Sequence, residues 1–183
     1  ALKTQKDLEE LSDHPYNSET SRTVEEEITQ LIAVIGENLK VRRVQSLSVV
    51  NGVVASYIHG VVTENLGKIG VLVALESSAN QQKLLEIGKK IAMHIAATNP
   101  VALIREHISK EMVEKEKSIF EARALESGKP KPAVPKIVAG QIEKFYEESV
   151  LLEQKFVMDP SKKIAEYLQS EAQSLGAEIK ISA

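Results

Sequence analysis

Between Val41 and Leu75 the chain is rich in β-branched residues, which a pleated strand accommodates better than a helix does. Val41–Val50 alternates in part between apolar and polar side chains and predicts a strand. Asn51-Gly52 follows, a strong two-residue turn signal because both turn positions call for positive φ. Val53–Ile58 predicts a second strand. His59-Gly60 is expected to open a longer loop through Glu64-Asn65-Leu66-Gly67, and Lys68–Leu75 to form a third strand. Such a meander needs a helix across one face to be stable. The next segment supplies one: Leu84, Leu85, Ile87, Gly88, Ile91, Ala92, Ile95 and Ala96 form a wide apolar face at helical spacing. The expected fold class is α+β, a three-stranded antiparallel meander packed with helices.

Composition narrows the function classes. The 183 residues carry 43% hydrophobic and 27% charged side chains, a globular balance. Net charge is −3, so no global basic field attracts phosphate or anionic lipid. Aromatics are 4% with no Trp, a poor supply for base stacking. Cysteine is absent, which excludes disulfides, thiol catalysis and cysteine-ligated metals. No apolar run approaches the roughly 18 residues of a membrane-spanning helix. The start at Ala1 and the stop at Ala183, in what reads as mid-strand, suggest a fragment of a longer protein.

The remaining segments read mostly as helices. A short one is expected around Thr4–Leu11, broken by turn chemistry over Ser12–Ser18. Thr23 and Glu26 have capping-box spacing ahead of Val24, Ile28, Leu31, Ile32 and Ile35, and Gly36 should end that helix. Asn99-Pro100 is expected to restart a short helix carrying Val101, Leu103 and Ile104. Ser109 caps a charged helix that Gly128 ends, and a second helix runs from about Pro135 to Glu148. Their apolar stripes are narrow: Val113, Phe120 and Ala124 on one, Val138, Ile142 and Phe145 on the other. Narrow stripes with charged flanks predict a projecting antiparallel helical hairpin at about 109–150, part coiled coil. Asp159-Pro160 is expected to cap a helix holding Ile164, Tyr167, Leu168 and Ala172, and Ala177–Ser182 to begin a strand.

No motif marks a reaction. Neither phosphate-binding glycine pattern occurs, and no Gly-x-Ser-x-Gly elbow is present. His14, His59, His94 and His107 are scattered, without metal spacing. His94, inside Ile91–Ala97, reads as a helix histidine bonded to a backbone or carboxylate partner. Glu147-Glu148 reads as a solvated face, and Arg42-Arg43 is too small a patch for nucleic acid. His59, at a strand end beside a loop, is either a locally packed residue or a partner contact. Val157-Met158 is either a hydrophobic staple or, if exposed, a docking surface.

Several segments in order are more specific. Ile35–Arg43, Ser56–Gly60, Lys68–Val73, Ile91–Ala97 with Pro100, Val113–Glu116, Ser127–Pro130, Lys144-Phe145 and Phe156–Lys162 resemble bacterial translation elongation factor Ts, over roughly residues 25–183. The resemblance implies a guanine-nucleotide exchange factor that binds elongation factor Tu and promotes GDP release, without covalent chemistry, cofactor or metal. It implies a homodimer, no direct binding of nucleotide, nucleic acid or membrane, and a bacterial cytoplasm or, as the alternative, a mitochondrial matrix. Partner contacts carry over to Ile35, Gly36, His59, Val157 and Met158. Val113, Phe120, Val138, Ile142 and Phe145 are the expected dimer or hairpin packing positions. Residues 1–52 would be the end of a first core subdomain, and 53–183 a second with the hairpin inserted. The family's Thr-Asp-Phe-Val motif is not among these residues, which implies impaired exchange. The alternative reading is a structural dimerisation module without partner docking of its own.

Overall fold

The computed structural model describes residues 8–183. They divide into two compact units at Ser48/Val49. In the first, α1 (Leu8–Asp13) and α2 (Val24–Ile35) pack together. The part of the expected first helix over Thr4–Asp7 lies outside the described residues. The Thr23 hydroxyl accepts the Glu26 N–H and the Glu26 carboxylate accepts the Thr23 N–H, closing the capping box read from the sequence. Gly36, at φ +79°, ends α2 and donates its N–H to the Ile32 carbonyl.

The second unit is built on β1 (Gly52–Thr63) and β2 (Leu66–Glu76), antiparallel over nearly their whole length, with β5 (Lys180–Ile181) antiparallel to β2. The sheet is three-stranded and antiparallel, yet its strands differ from those expected. Val41–Ser48 forms no strand. Its half-buried residues Val41, Val44 and Leu47 recur every third position, a spacing that no pleated face can use. The third strand arrives instead from the other end of the chain, where the Ser182 N–H donates to the Ala74 carbonyl and the Ala74 N–H to that of Ala183.

Asn51-Gly52 is correspondingly not a hairpin turn. Gly52 opens β1 at φ +148°, where a Cβ would lie 1.9 Å from the Leu75 carbonyl oxygen. Glycine serves close strand approach there. The hairpin closes at Glu64-Asn65, with Asn65 left-handed at φ +62° and a register shift between Val61 and Thr63. His59 therefore sits within β1, opposite Ile69, and not at the mouth of a loop.

Helix α3 (Gln81–Thr98) covers one face of the β1–β2 hairpin. It starts at Asn80, whose side chain accepts the Gln82 and Lys83 N–H groups. Leu84, Ile87, Ile91 and Ala92 pack with Val53, Val73 and Leu75. At Gly88 a Cβ would sit 2.5 Å from that of Ala55, so helix and sheet touch backbone to side chain. Phe156, Ile164, Tyr167 and Leu168 complete the core from α6 (Ile164–Leu175) and the segment before it.

No helix restarts at Asn99-Pro100. Asn99 is left-handed (φ +46°) and terminates α3, and the Val101 and Ala102 N–H groups donate to the Ser149 carbonyl. Their hydrogen bonds are thus committed across the chain. Helices α4 (Lys110–Glu126) and α5 (Val134–Ser149) pack on each other beyond that point, joined through residues 127–133. Asp159-Pro160 also differs from expectation. It belongs to strand β4 (Asp159–Lys163), which pairs with β3 (Lys155–Phe156), and α6 begins only at Ile164. There the Glu166 carboxylate accepts the Lys163 N–H, while Asp159 is occupied by Ser161, whose hydroxyl and N–H it accepts.

Candidate functional site

The residues singled out in the sequence fall on three exposed features. Ile35 and Gly36 form the C-terminal end of α2 in the first unit. Ile35 is 54% exposed, and Val34 and Leu31 beside it are exposed as well. The helix ends at Gly36 directly after Ile35, and its last turn presents Val34 and Ile35 to solvent.

His59 lies on the outer half of the β1–β2 hairpin, exposed, where Val61, Val62, Leu66 and Ile69 are exposed too. A hydrogen bond of 3.1 Å joins its Nδ1 to the Tyr57 hydroxyl, and the two rings lie 6.2 Å apart. Side chains two apart on a strand share a face, so Tyr57 fixes the ring while Nε2 stays available. The sequence reading did not single out Tyr57, although its i, i+2 spacing from His59 was visible.

Val157 and Met158 form the two-residue turn between β3 and β4, 44% and 45% exposed. They are not a staple for the following helix, which starts six residues later. The residues behind the turn are buried. Phe156 stacks on Tyr167 at 4.5 Å and lies 5.9 Å from the ring of His94. The Val157 N–H donates to His94 Nδ1 at 3.3 Å, and the His94 Nε2–H donates to Gln154 Oε1 at 2.9 Å. A backbone N–H can only donate, so Nδ1 is unprotonated and the ring is the neutral Nε2–H tautomer. Gln154 Nε2 donates in turn to the Glu148 carbonyl at 2.7 Å. His94 is fully buried, and burial holds its pKa below the ordinary imidazole value, against the Gln154 hydrogen bond that pulls it up. The expected helix histidine with a bonded partner is thus found. Its partners are a side-chain amide and a backbone N–H at a distant turn.

The helical pair is rooted at its base by hydrogen bonds and an ion-pair cluster. Ala102 and Val150 bridge in parallel, and the Leu151 N–H donates to the Ala102 carbonyl. Arg105 binds Glu153 through two nitrogens, reaches Glu143 at 2.8 Å, and stacks 4.4 Å over Tyr146. The guanidinium holds the Glu153 carboxyl below its usual range. Of the positions expected in the seam, Ile142 is buried, and Val113, Phe120, Val138 and Phe145 are half-buried. Ala124 and Val134 are the other buried residues of the pair. Glu147 meets Lys163 and Glu148 meets Lys144 as exposed ion pairs, worth little individually.

The second unit holds both His59 and the Val157-Met158 turn. Among the described residues no cluster of three or more His, Cys, Asp or Glu is placed to hold a metal, and no helix is long and apolar enough to cross a membrane. What these elements present to solvent is apolar side chains at a turn, a hairpin end and a helix end.

Sequence comparison supplies the particular family. The family model described as Elongation factor TS matches residues 1–182. Elongation factor Ts from Rhodospirillum centenum is 47% identical over 182 residues, covering all of this chain and 59% of its own length. The Orientia tsutsugamushi protein is 49% identical over 164 residues, 89% of this chain and 53% of its own length. That of Caulobacter vibrioides is 48% identical over 159 residues, 87% of this chain and 51% of its own. The chain belongs to the elongation factor Ts family, and it spans between half and three fifths of these relatives.

Proposed function

We propose that this chain is the part of a bacterial guanine-nucleotide exchange factor that docks on elongation factor Tu during translation elongation. The observation that carries the reading is the exposure of all five residues marked by the resemblance: Ile35, Gly36, His59, Val157 and Met158. Three of them are large apolar side chains, and Val157 and Met158 stand side by side on one turn. Exchange needs no catalytic group. A partner that binds the nucleotide-free state more tightly weakens nucleotide binding by the same factor. Residues 1–52 are read as the end of a first core subdomain and 53–183 as a second, with α4–α5 as an inserted coiled-coil hairpin. The bacterial cytoplasm follows from the role.

The test is stopped-flow release of a fluorescent GDP analogue from elongation factor Tu. Without the Thr-Asp-Phe-Val motif in these residues, weak or no acceleration is expected, alongside a complex with nucleotide-free elongation factor Tu on gel filtration. Absence of that complex at tens of micromolar overturns the docking reading.

A second reading is dimerisation through α4–α5. It is favoured by a groove whose apolar floor includes Leu125, Val134, Val138 and Ile142, with Lys117, Glu121, Lys131 and Glu143 at its edges. Light scattering on the wild type, on Phe120→Asp in the seam and on Leu125→Asp in the groove tests it: a dimer that dissociates in Leu125→Asp supports it, and a monomer in all three removes the pair from any interface.

A further inference from the structure

We propose that His94 is a positioning residue for docking: its unprotonated Nδ1 takes the Val157 N–H and so fixes the turn that presents Val157 and Met158. The inference rests on the docking reading above and assigns to it a residue that touches no partner. Two residues at the tip of a short hairpin have little to hold them. The paired positions are Lys155 with Lys163 and Phe156 with Asp159, and the register shifts between them. The ladder therefore ends before the turn, and the Val157 N–H lies outside it. That donor goes to His94, on α3 and 63 residues earlier in the chain. The imidazole is itself held on its other side. Its Nε2–H meets Gln154 Oε1, and Gln154 is 4% exposed and spends its own amide N–H on Glu148. The Thr98 hydroxyl lies within hydrogen-bond distance of both the Gln154 Oε1 and the His94 carbonyl. A ring with one acceptor and one donor, both used and both buried, cannot rotate without stranding a polar group. Its position sets that of the Val157 backbone, and through it the direction of two exposed apolar side chains.

Two substitutions separate the two ring nitrogens. In His94→Asn the amide oxygen occupies the place of Nδ1 and keeps an acceptor for Val157, while the donor to Gln154 is lost. In His94→Gln the amide nitrogen reaches the place of Nε2 and keeps the donor, while the acceptor for Val157 is lost. Both remove the buried ring, so a role in packing alone treats them alike. Affinity for nucleotide-free elongation factor Tu is measured by calorimetry, and Val157 amide exchange by nuclear magnetic resonance. Circular dichroism melts establish that both variants are folded. His94→Gln is expected to weaken binding about tenfold, the loss of one buried hydrogen bond, and to speed Val157 exchange. His94→Asn is expected to stay within about threefold of wild type, with Val157 protected. Equal losses in the two variants, or an unchanged Val157 amide in His94→Gln, overturn the proposal. If wild type itself forms no complex, the docking reading fails, and the exchange measurement still decides whether Nδ1 holds the turn.

Discussion

The sheet with α3 and the helical pair α4–α5 are held by different means. Where α3 meets the sheet and α6, Leu75, Leu84, Ile91 and Ile164 are fully buried, drawn from three elements of the chain. Between α4 and α5 only Ala124, Val134 and Ile142 are buried, and charged residues flank them. The first region is a core; the second is a seam, closed at its base by Arg105 and by the hydrogen bonds between the segments that enter and leave it. A core concentrates stability where many elements meet, whereas a seam holds two helices to each other along a narrow line. This teaches why the anchored turn at Val157-Met158 lies against the core and not on the hairpin.

The contrast can be broken by measurement. Leu84→Ala removes a fully buried side chain and is expected to cost about 3 kcal/mol, read from the urea midpoint by circular dichroism. Ile142→Ala, in the seam, is expected to cost about 2 kcal/mol; a cost equal to that of Leu84→Ala would show the pair to be a second core. His94 supplies the third comparison, by pH. Its imidazole is held below the ordinary value of 6.5 in the folded chain, so the unfolded chain binds the proton first. Stability falls as pH drops from 6.5 toward the native value, by up to about 1.4 kcal/mol per pH unit, and is unaffected by this group above 6.5. Urea midpoints between pH 7 and 5 should fall more steeply for wild type than for His94→Asn, and parallel curves would exclude the buried ring as the cause. Arg105→Ala gives the smallest effect, about 1 kcal/mol, because its partners are partly solvated. It should speed amide exchange at Ala102 and Leu151 while leaving the sheet unchanged.

Local chemistry was legible in the sequence wherever one turn of backbone decides the outcome. Thr23 with Glu26, Ser109 and Gly36 each cap a helix as their spacing indicated. The apolar face of α3 and the two charged helices were legible for the same reason, since period and capping agree. What failed was pairing across distance. Asn51-Gly52 carries a genuine turn signal, but the contact that requires the glycine is with the Leu75 carbonyl, and the third strand comes from Lys180-Ile181. At the candidate site, the exposed residues were legible through resemblance. The hydrogen bonds that hold them were not, because Gln154 and His94 stand 60 positions apart and neither belongs to a spacing rule.

The parallel bridge at Ala102 and Val150 has a consequence for how this architecture tolerates change. The chain leaves the body and returns to it through adjacent, mutually bonded residues. Whole turns of helix can therefore be added or deleted beyond Arg105 without displacing either end of the attachment. The length of the α4–α5 pair is thus an adjustable dimension, set independently of the bridge at its base.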